Sequence, residues 1–395
     1  MNNQSRIFLL LAAVNFTHIL DFMILMPLGN YLMPQLSINP QQFSILIAIY
    51  ALSAGFSSFV SAFFVNQFDR KNVLIFAYTG FLFGTLACGL APNYDVLLVS
   101  RTIAGLFGGM IGAQVIAIIS DLVPFEKRGK AMGIVMSAFA MASTLGVPFS
   151  LYLARFFDWH APFLFVVGLG VFVLISLFFG IPSMSKYTQA QDDKLKVLTE
   201  IIKDKRQYLA LLFSFSMFFG HFVIIPFINP FLEFNKGFSK EETPLMYLFG
   251  GLSAFLSSYF VGKLSDSFGK LKTFMWCTFL SLPLVLLVTH LPNMPLFLML
   301  TIFSVWFAFS TGRAVSSQAL ISNVSPPQFR GSFQSFNSFV QQMGSGVAAL
   351  IAGFVVIKNA NGTLSQFGYL GYISLAILGG AIFLGHYVFG KDKVN

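Results

Sequence analysis

The sequence predicts an all-α membrane protein: twelve transmembrane helices in two pseudo-symmetric six-helix bundles. Three observations lead there. Of the 395 residues, 56% are hydrophobic and only 10% are charged, against roughly 25% charged in soluble domains. Apolar runs of bilayer-crossing length, about 20 residues each, follow one another along the whole chain. Two loop sequences recur after a shift of roughly 200 residues, which marks a duplicated unit.

The composition sets the class. A mean hydropathy of +0.76 over the full length leaves no room for a sizeable water-soluble domain. The net charge of +9 does not point to nucleic acid, because the basic residues fall in short loops between apolar runs. Cys88 and Cys277 both lie inside apolar stretches, so no disulfide framework is expected. Met1–Arg6 runs straight into an apolar segment, without the pattern of a cleavable signal peptide.

The apolar runs, parted by short polar or Pro/Gly breaks, give spans at 7–29, 41–64, 73–91, 95–119, 131–154, 162–181, 207–232, 243–263, 271–291, 295–322, 331–357 and 367–390. They are expected as helices, since lipid cannot satisfy an open backbone and a barrel strand would alternate apolar and polar residues. Orientation follows from Lys and Arg placement. With the N-terminus inside, the inner segments hold 18 basic residues and the outer loops only Arg155, Lys236, Lys240 and Lys358. Both termini are therefore expected on the cytoplasmic side of a bacterial inner membrane. The expected domains are an N-terminal bundle (1–181), a cytoplasmic linker (182–206) and a C-terminal bundle (207–395). The linker's charges suit a solvated amphipathic segment on the inner face.

The repeat is read in the loops. Ile119–Gly129 is ISDLVPFEKRG, and Ile321–Gly331 is ISNVSPPQFRG. The loop from Val65 (VNQFDRKNV) corresponds to that from Leu264 (LSDSFGKLK) at nearly the same shift. Two halves of six spans place a cavity between them near the bilayer midplane.

The run Gly262-Lys-Leu-Ser-Asp266-Ser-Phe-Gly269-Lys270 resembles the cytoplasmic signature loop of the major facilitator superfamily. Asn66, Asp69 and Arg70 stand in a degraded first-half copy. Arg101-Thr-Ile-Ala-Gly105, followed by Gly109, is similar to the Arg-x-x-x-Gly motif of proton-coupled members. Gly146-Val-Pro148 partly matches the antiporter motif of span 5. With Asp158-Trp-His-Ala-Pro-Phe, the chain looks most like the sugar-efflux branch near the drug:proton antiporters. The resemblance implies a monomeric exporter without cofactor, whose partners are a small sugar-like or amphipathic solute, protons and the bilayer. It implies gating roles for Asn66, Asp69, Arg70, Asp266, Gly269 and Lys270. It implies helix-packing roles for Gly105, Gly109, Gly146 and Pro148. Gly269 is expected to make a tight turn, and Asp266, Arg70 and Lys270 to form charge pairs that close the inner side.

The residues themselves point to an energy source. Asp21 is the one acid placed well inside a span, and an ionisable group there costs about 2.5–3.5 kcal/mol on insertion scales. It lies roughly 12 Å below the outer end of span 1 at 1.5 Å per residue, and Arg101 roughly 9 Å below that of span 4. A contact between them is expected. His18 shares Asp21's face at i,i+3 and could share the proton, since a free imidazole titrates near neutrality. The pattern fits a proton-coupling site; the alternatives are a permanent ion pair that only fixes packing and direct substrate binding without coupling. His221 follows Asp21 by the repeat shift and is expected at the equivalent position. Arg313 lies deeper in span 10 and could bind an anion, serve an inner gate, or snorkel to the interface. Gln114, Asn229, Gln318, Asn337 and Gln341 complete the candidate cavity, with interhelical hydrogen bonding as the competing role.

No P-loop, haem, zinc or hydrolytic-triad motif stands out, so neither an enzyme nor ATP-driven transport by this chain alone is expected. An importer of the same fold, a lipid translocator and a membrane sensor are the alternatives to export.

Overall fold

The computed structural model describes residues 3–64, 68–122, 128–183, 199, 201, 203–322, 324–325 and 330–390. Among these, twelve helices are long and apolar enough to cross a membrane. Span 1 is Asn3–Ile24, span 2 Pro40–Phe64, span 3 Arg70–Gly89, span 4 Tyr94–Leu122 and span 6 Ala161–Gly180. Span 5 is built from Arg128–Met141, a π-helical turn Ala142–Gly146, and Val147–Phe156. Span 7 is Lys205–Phe222 continued by Ile225–Lys236. Span 8 is Thr243–Phe268, span 9 Lys270–Thr289, span 10 Leu296–Ile321, span 11 Arg330–Val355 and span 12 Phe367–Phe389. A two-residue hairpin pairing Ile357 with Ser365 joins the last two spans.

The packing obeys the repeat. Span 4 packs on spans 2 and 3, span 6 on span 3, and span 1 on spans 5 and 6. Six spans later, span 10 packs on spans 8 and 9, span 12 on span 9, and span 7 on spans 11 and 12. The halves meet where span 2 lies along span 11 and span 5 meets span 8. The six-span shift carries each of these two contacts into the other.

Small residues set the close approaches, as in membrane helix pairs generally. A Cβ on Gly105 would sit 2.5 Å from the Tyr50 carbonyl oxygen, and one on Gly109 would sit 2.7 Å from the Ala54 carbonyl carbon. Spans 2 and 4 can touch at this distance only through these glycines. Gly346 does the same for spans 2 and 11, against Leu52.

Span 1 stops at Ile24, short of its expected end at 29. Turns carry Leu25–Leu28 into a second helix, Gly29–Gln35. Pro27 supplies no N–H and cannot continue the ladder. Span 7 breaks at the equivalent place, at Val223–Ile224 before Pro226. Span 5 relaxes into its π-turn just before Pro148, where Gly146 rests against Leu20 of span 1. Such turns concentrate at functional sites.

Candidate functional site

In the first half, Arg101 reaches from span 4 to span 1. Its Nη1 donates to Asp21 Oδ2 at 2.9 Å, and both residues are 0% exposed. The same nitrogen lies 3.4 Å from the Asp21 carbonyl. The guanidinium sits 4.2 Å from the centre of the Tyr50 ring, with Phe163 at 6.0 Å. A cation held against an aromatic face away from water gains from the ring quadrupole. Asp21 Oδ1 and Arg101 Nε have no hydrogen-bond partner among the described residues. The expected Asp21–Arg101 contact is present. His18 makes no hydrogen bond to Asp21: both ring nitrogens are buried and unpartnered among the described residues, and the ring packs edge-on against Phe81 at 5.7 Å.

The second half has a different pair at the corresponding helices. Arg313 Nη2 lies 3.4 Å from His221 Nδ1, and its Nη1 donates to Ser281 Oγ at 3.0 Å. Arg313 is 2% exposed, so it does not snorkel to an interface. Trp306 stacks on His221 with centroids 5.6 Å apart. Phe22 and Phe222, the residues after Asp21 and His221, meet between the halves at 5.8 Å.

Toward the face that carries Asp69 and Asp266, Gln341 Nε2 donates to Ser214 Oγ at 3.1 Å and to Gln318 Oε1 at 3.2 Å. Among the described residues, buried Asn337 finds no partner for either amide atom, and buried Gln114 finds none for its carbonyl oxygen. Asn229 donates to the Pro27 carbonyl at 2.8 Å. It thereby satisfies a carbonyl freed at the break in span 1, and it lies in the seam between the halves.

The loop residues divide. Asp69 caps span 3, accepting from the Lys71 N–H at 2.8 Å, and it receives the Ser183 hydroxyl at 2.6 Å. Neither bond reaches the second half. Lys71 Nζ donates to the Phe178 carbonyl at 2.8 Å, tying the same end of span 3 to span 6. Arg70 opens span 3 and Lys270 opens span 9. Asp266 is exposed in the last turn of span 8. Gly269 alone joins the two helices at φ +93°, the left-handed region expected of it. Asn66 lies outside the described residues.

Sequence reasoning missed Glu233. It stood one residue beyond the expected end of span 7, yet it organises the opposite face. Asn30 donates to its Oε2. Its Oε1 accepts from Thr243 Oγ1 at 2.8 Å and from Asn229 Nδ2 at 3.3 Å. Beside it, Lys240 Nζ lies 4.1 Å from the Tyr31 ring centre, and Arg155 pairs with Glu241. The helix Gly29–Gln35, spans 5 and 7 and the start of span 8 are thus joined on the Glu233 face. Two signals pointed there: Asn30 and Asn229 differ by the repeat shift, and Asn229 precedes Glu233 by one helical turn.

Twelve spans in two packed halves, with buried ionic and hydrogen-bonded groups between them, define a multi-pass membrane transporter. The chain belongs to the Major Facilitator Superfamily, whose family model matches residues 11–349 and again 210–393. It is 25% identical over 336 residues, 85% of each chain, to the uncharacterized MFS-type transporter YceJ of Bacillus subtilis (strain 168). It is 23% identical over 335 residues to a Helicobacter acinonychis (strain Sheeba) protein named "Probable sugar efflux transporter", covering 84% of this chain and 82% of that one. Its fold matches the crystal structure of a bacterial homologue of the human lysosomal transporter Spinster, inward-facing and unoccupied. The TM-score is 0.78 at 15% identity, over 100% of this chain and 99% of that one.

Proposed function

We propose that the chain is a proton-coupled exporter of a small organic solute, working by alternating access, with Asp21 as the proton carrier. The buried Asp21–Arg101 pair is the observation that carries this reading. Oδ2 is committed to Arg101, while Oδ1 has no partner among the described residues. A proton can therefore land on Oδ1 without first displacing the guanidinium, and it then weakens the ionic hold between spans 1 and 4. Burial makes that change in charge energetically consequential. One proton moving through 100 mV supplies about 2.3 kcal/mol, enough for a roughly 50-fold solute gradient.

The Lys and Arg bias supports a cytoplasmic Asp266 face and an external Glu233 face. The joined Glu233 face then corresponds to an outwardly closed state, in keeping with the inward-facing description of the Spinster homologue. The bundles 1–181 and 207–395 would rock about the span 2–11 and span 5–8 contacts, with 182–206 as the tether. The likeness to the Helicobacter protein favours a sugar-like cargo, and the chain is read as acting as a monomer.

The test is transport in proteoliposomes, with a pentose, a sugar acid (galacturonate) and ethidium as probes, under an imposed pH gradient. The wild-type protein should move one of them at a rate that follows the gradient. Asp21→Asn should transport without that dependence. Gradient-driven transport that persists in Asp21→Asn removes Asp21 from the coupling mechanism.

A further inference from the structure

The two halves treat their buried cations differently. The repeat places a carboxylate at position 21 and an imidazole at position 221. Arg101 therefore has a counter-ion, and Arg313 does not. Among the described residues no carboxylate lies within salt-bridge distance of Arg313. A guanidinium cannot shed its charge, and at 2% exposure water does not screen it. A lone charge in that position is retained against a considerable desolvation penalty.

Two neutral groups accept from it, and a third beside them is a donor that lacks an acceptor. Ser281 Oγ donates to the Thr278 carbonyl at 2.8 Å, so it faces Arg313 as an acceptor and fixes one arm of the fork. Arginine only donates, so its contact with His221 makes Nδ1 the lone-pair nitrogen and leaves the N–H on Nε2. Trp306 stacks on that imidazole, and its Nε1–H is buried without a partner among the described residues. Trp306 is 1% exposed and can only donate. The cluster thus holds one uncompensated positive charge and an unused indole N–H, with an imidazole between them.

We infer that Arg313, His221 and Trp306 form the binding site for the carboxylate group of an organic anion, which is the cargo. This deepens the transport reading above and rests on it for what happens to the anion after binding. The fork geometry of guanidinium matches the two oxygens of a carboxylate. A bound carboxylate gives Arg313 the counter-ion that Asp21 gives Arg101, although the two cations sit at different depths in spans 10 and 4. Arg313 lies eight residues from the end of span 10, about 12 Å at the helical rise. The Gln318–Gln341–Ser214 hydrogen-bonded group lies between it and the Asp266 face.

Binding tests this without any pH gradient, so its result stands apart from the coupling result. The full chain, purified in detergent with chloride as the background anion, is titrated calorimetrically. The probes are benzoate, galacturonate and inorganic phosphate, with benzyl alcohol and galactose as neutral counterparts. At least one carboxylate should bind while its neutral counterpart does not. Arg313→Gln should weaken that binding by about tenfold or more, and Arg313→Lys by less, since charge survives but the fork is lost. If Arg313→Gln does not fold, Trp306→Phe keeps a ring on His221 and removes only the N–H; it should weaken binding several-fold. The inference is overturned if no carboxylate binds or if phosphate alone does. Equal binding of acid and neutral partner, or carboxylate affinity unchanged in the variants, also overturns it.

Discussion

Asn30 and Glu233 lie 203 residues apart in sequence, yet they join their side chains across the seam between the two halves. The carboxylate also collects Asn229 and Thr243, so one acidic group ties the helix Gly29–Gln35 to spans 7 and 8 on one face. Hydrogen bonds to a charged acceptor each contribute about 1.5–3 kcal/mol. Glu233→Ala should therefore move the conformational equilibrium toward opening at this face by tenfold or more, since about 1.4 kcal/mol is one decade. Spin labels at Ser37→Cys and Ala360→Cys, which line one surface hollow from opposite halves, would report it as a longer distance population. Cys88 and Cys277 are buried and should remain unlabelled. An unchanged distance distribution would deny Glu233 a latching role.

The glycines of span 4 offer a test of packing. In Gly109→Ala the new methyl meets the Ala54 backbone of span 2 well inside van der Waals contact. Backbone cannot swing aside as a long side chain can, so the helices must part. The cost expected for such overpacking is about 1–3 kcal/mol, seen as a lower unfolding temperature. Gly112→Ala, three residues on, has nothing within 4 Å of the added Cβ and should unfold like the wild type. Equal unfolding temperatures for the two variants would show that contact with span 2 does not limit packing at Gly109.

What the sequence revealed follows a physical division. Spans were legible because hydropathy is local, and the Asp21–Arg101 pair was legible because depth counts off at a fixed rise per residue. The His221–Arg313 contact was half visible, through the repeat. Glu233 was not, because its partners Asn30 and Thr243 come from other spans and it lies just past an apolar run. The break after Ile24 was signalled by Pro27, but the helix that resumes at Gly29 depends on burial against span 7. Asp69 illustrates the opposite limit: a motif position suggested a gating role, and the local chemistry of an aspartate before a helix adds a capping role that the motif did not reveal.

Asp204 allows a pH prediction outside the membrane-spanning segments. It caps span 7, accepting from the N–H groups of Arg206 at 2.8 Å and Gln207 at 3.2 Å, and from the Gln207 side chain at 3.0 Å. Partial burial acts to raise its proton affinity, but these hydrogen bonds and the Arg206 charge prevail and hold the carboxyl below its ordinary value. A group depressed on folding stabilises above its unfolded value and loses that contribution as the pH falls. The cap's share, about 1 kcal/mol, should thus be present at neutrality and fade below about pH 4. Asp204→Ala should lose it at every pH. Asp204→Asn should keep it and flatten the acid dependence of the unfolding temperature; an unaltered acid profile in that variant would assign the dependence to other groups.

The Asp21–Arg101 pair makes a prediction of its own about stability. Breaking one side of a buried ion pair strands the other charge and costs about 3–5 kcal/mol, whereas replacing both partners by neutral groups is often close to neutral. Arg101→Gln should therefore be severely destabilised, because Asp21 Oδ2 loses the guanidinium that donates to it. Adding Asp21→Asn to that variant should recover most of the loss, since no charge remains in the core. Asp21→Asn alone should be the milder single change: Arg101 keeps an amide oxygen at position 21 as acceptor, and its place over the Tyr50 ring. The four proteins form a double-mutant cycle, read by thermal unfolding in one detergent. A double variant as unstable as the sum of the singles would mean that the two residues, 2.9 Å apart, are not energetically coupled.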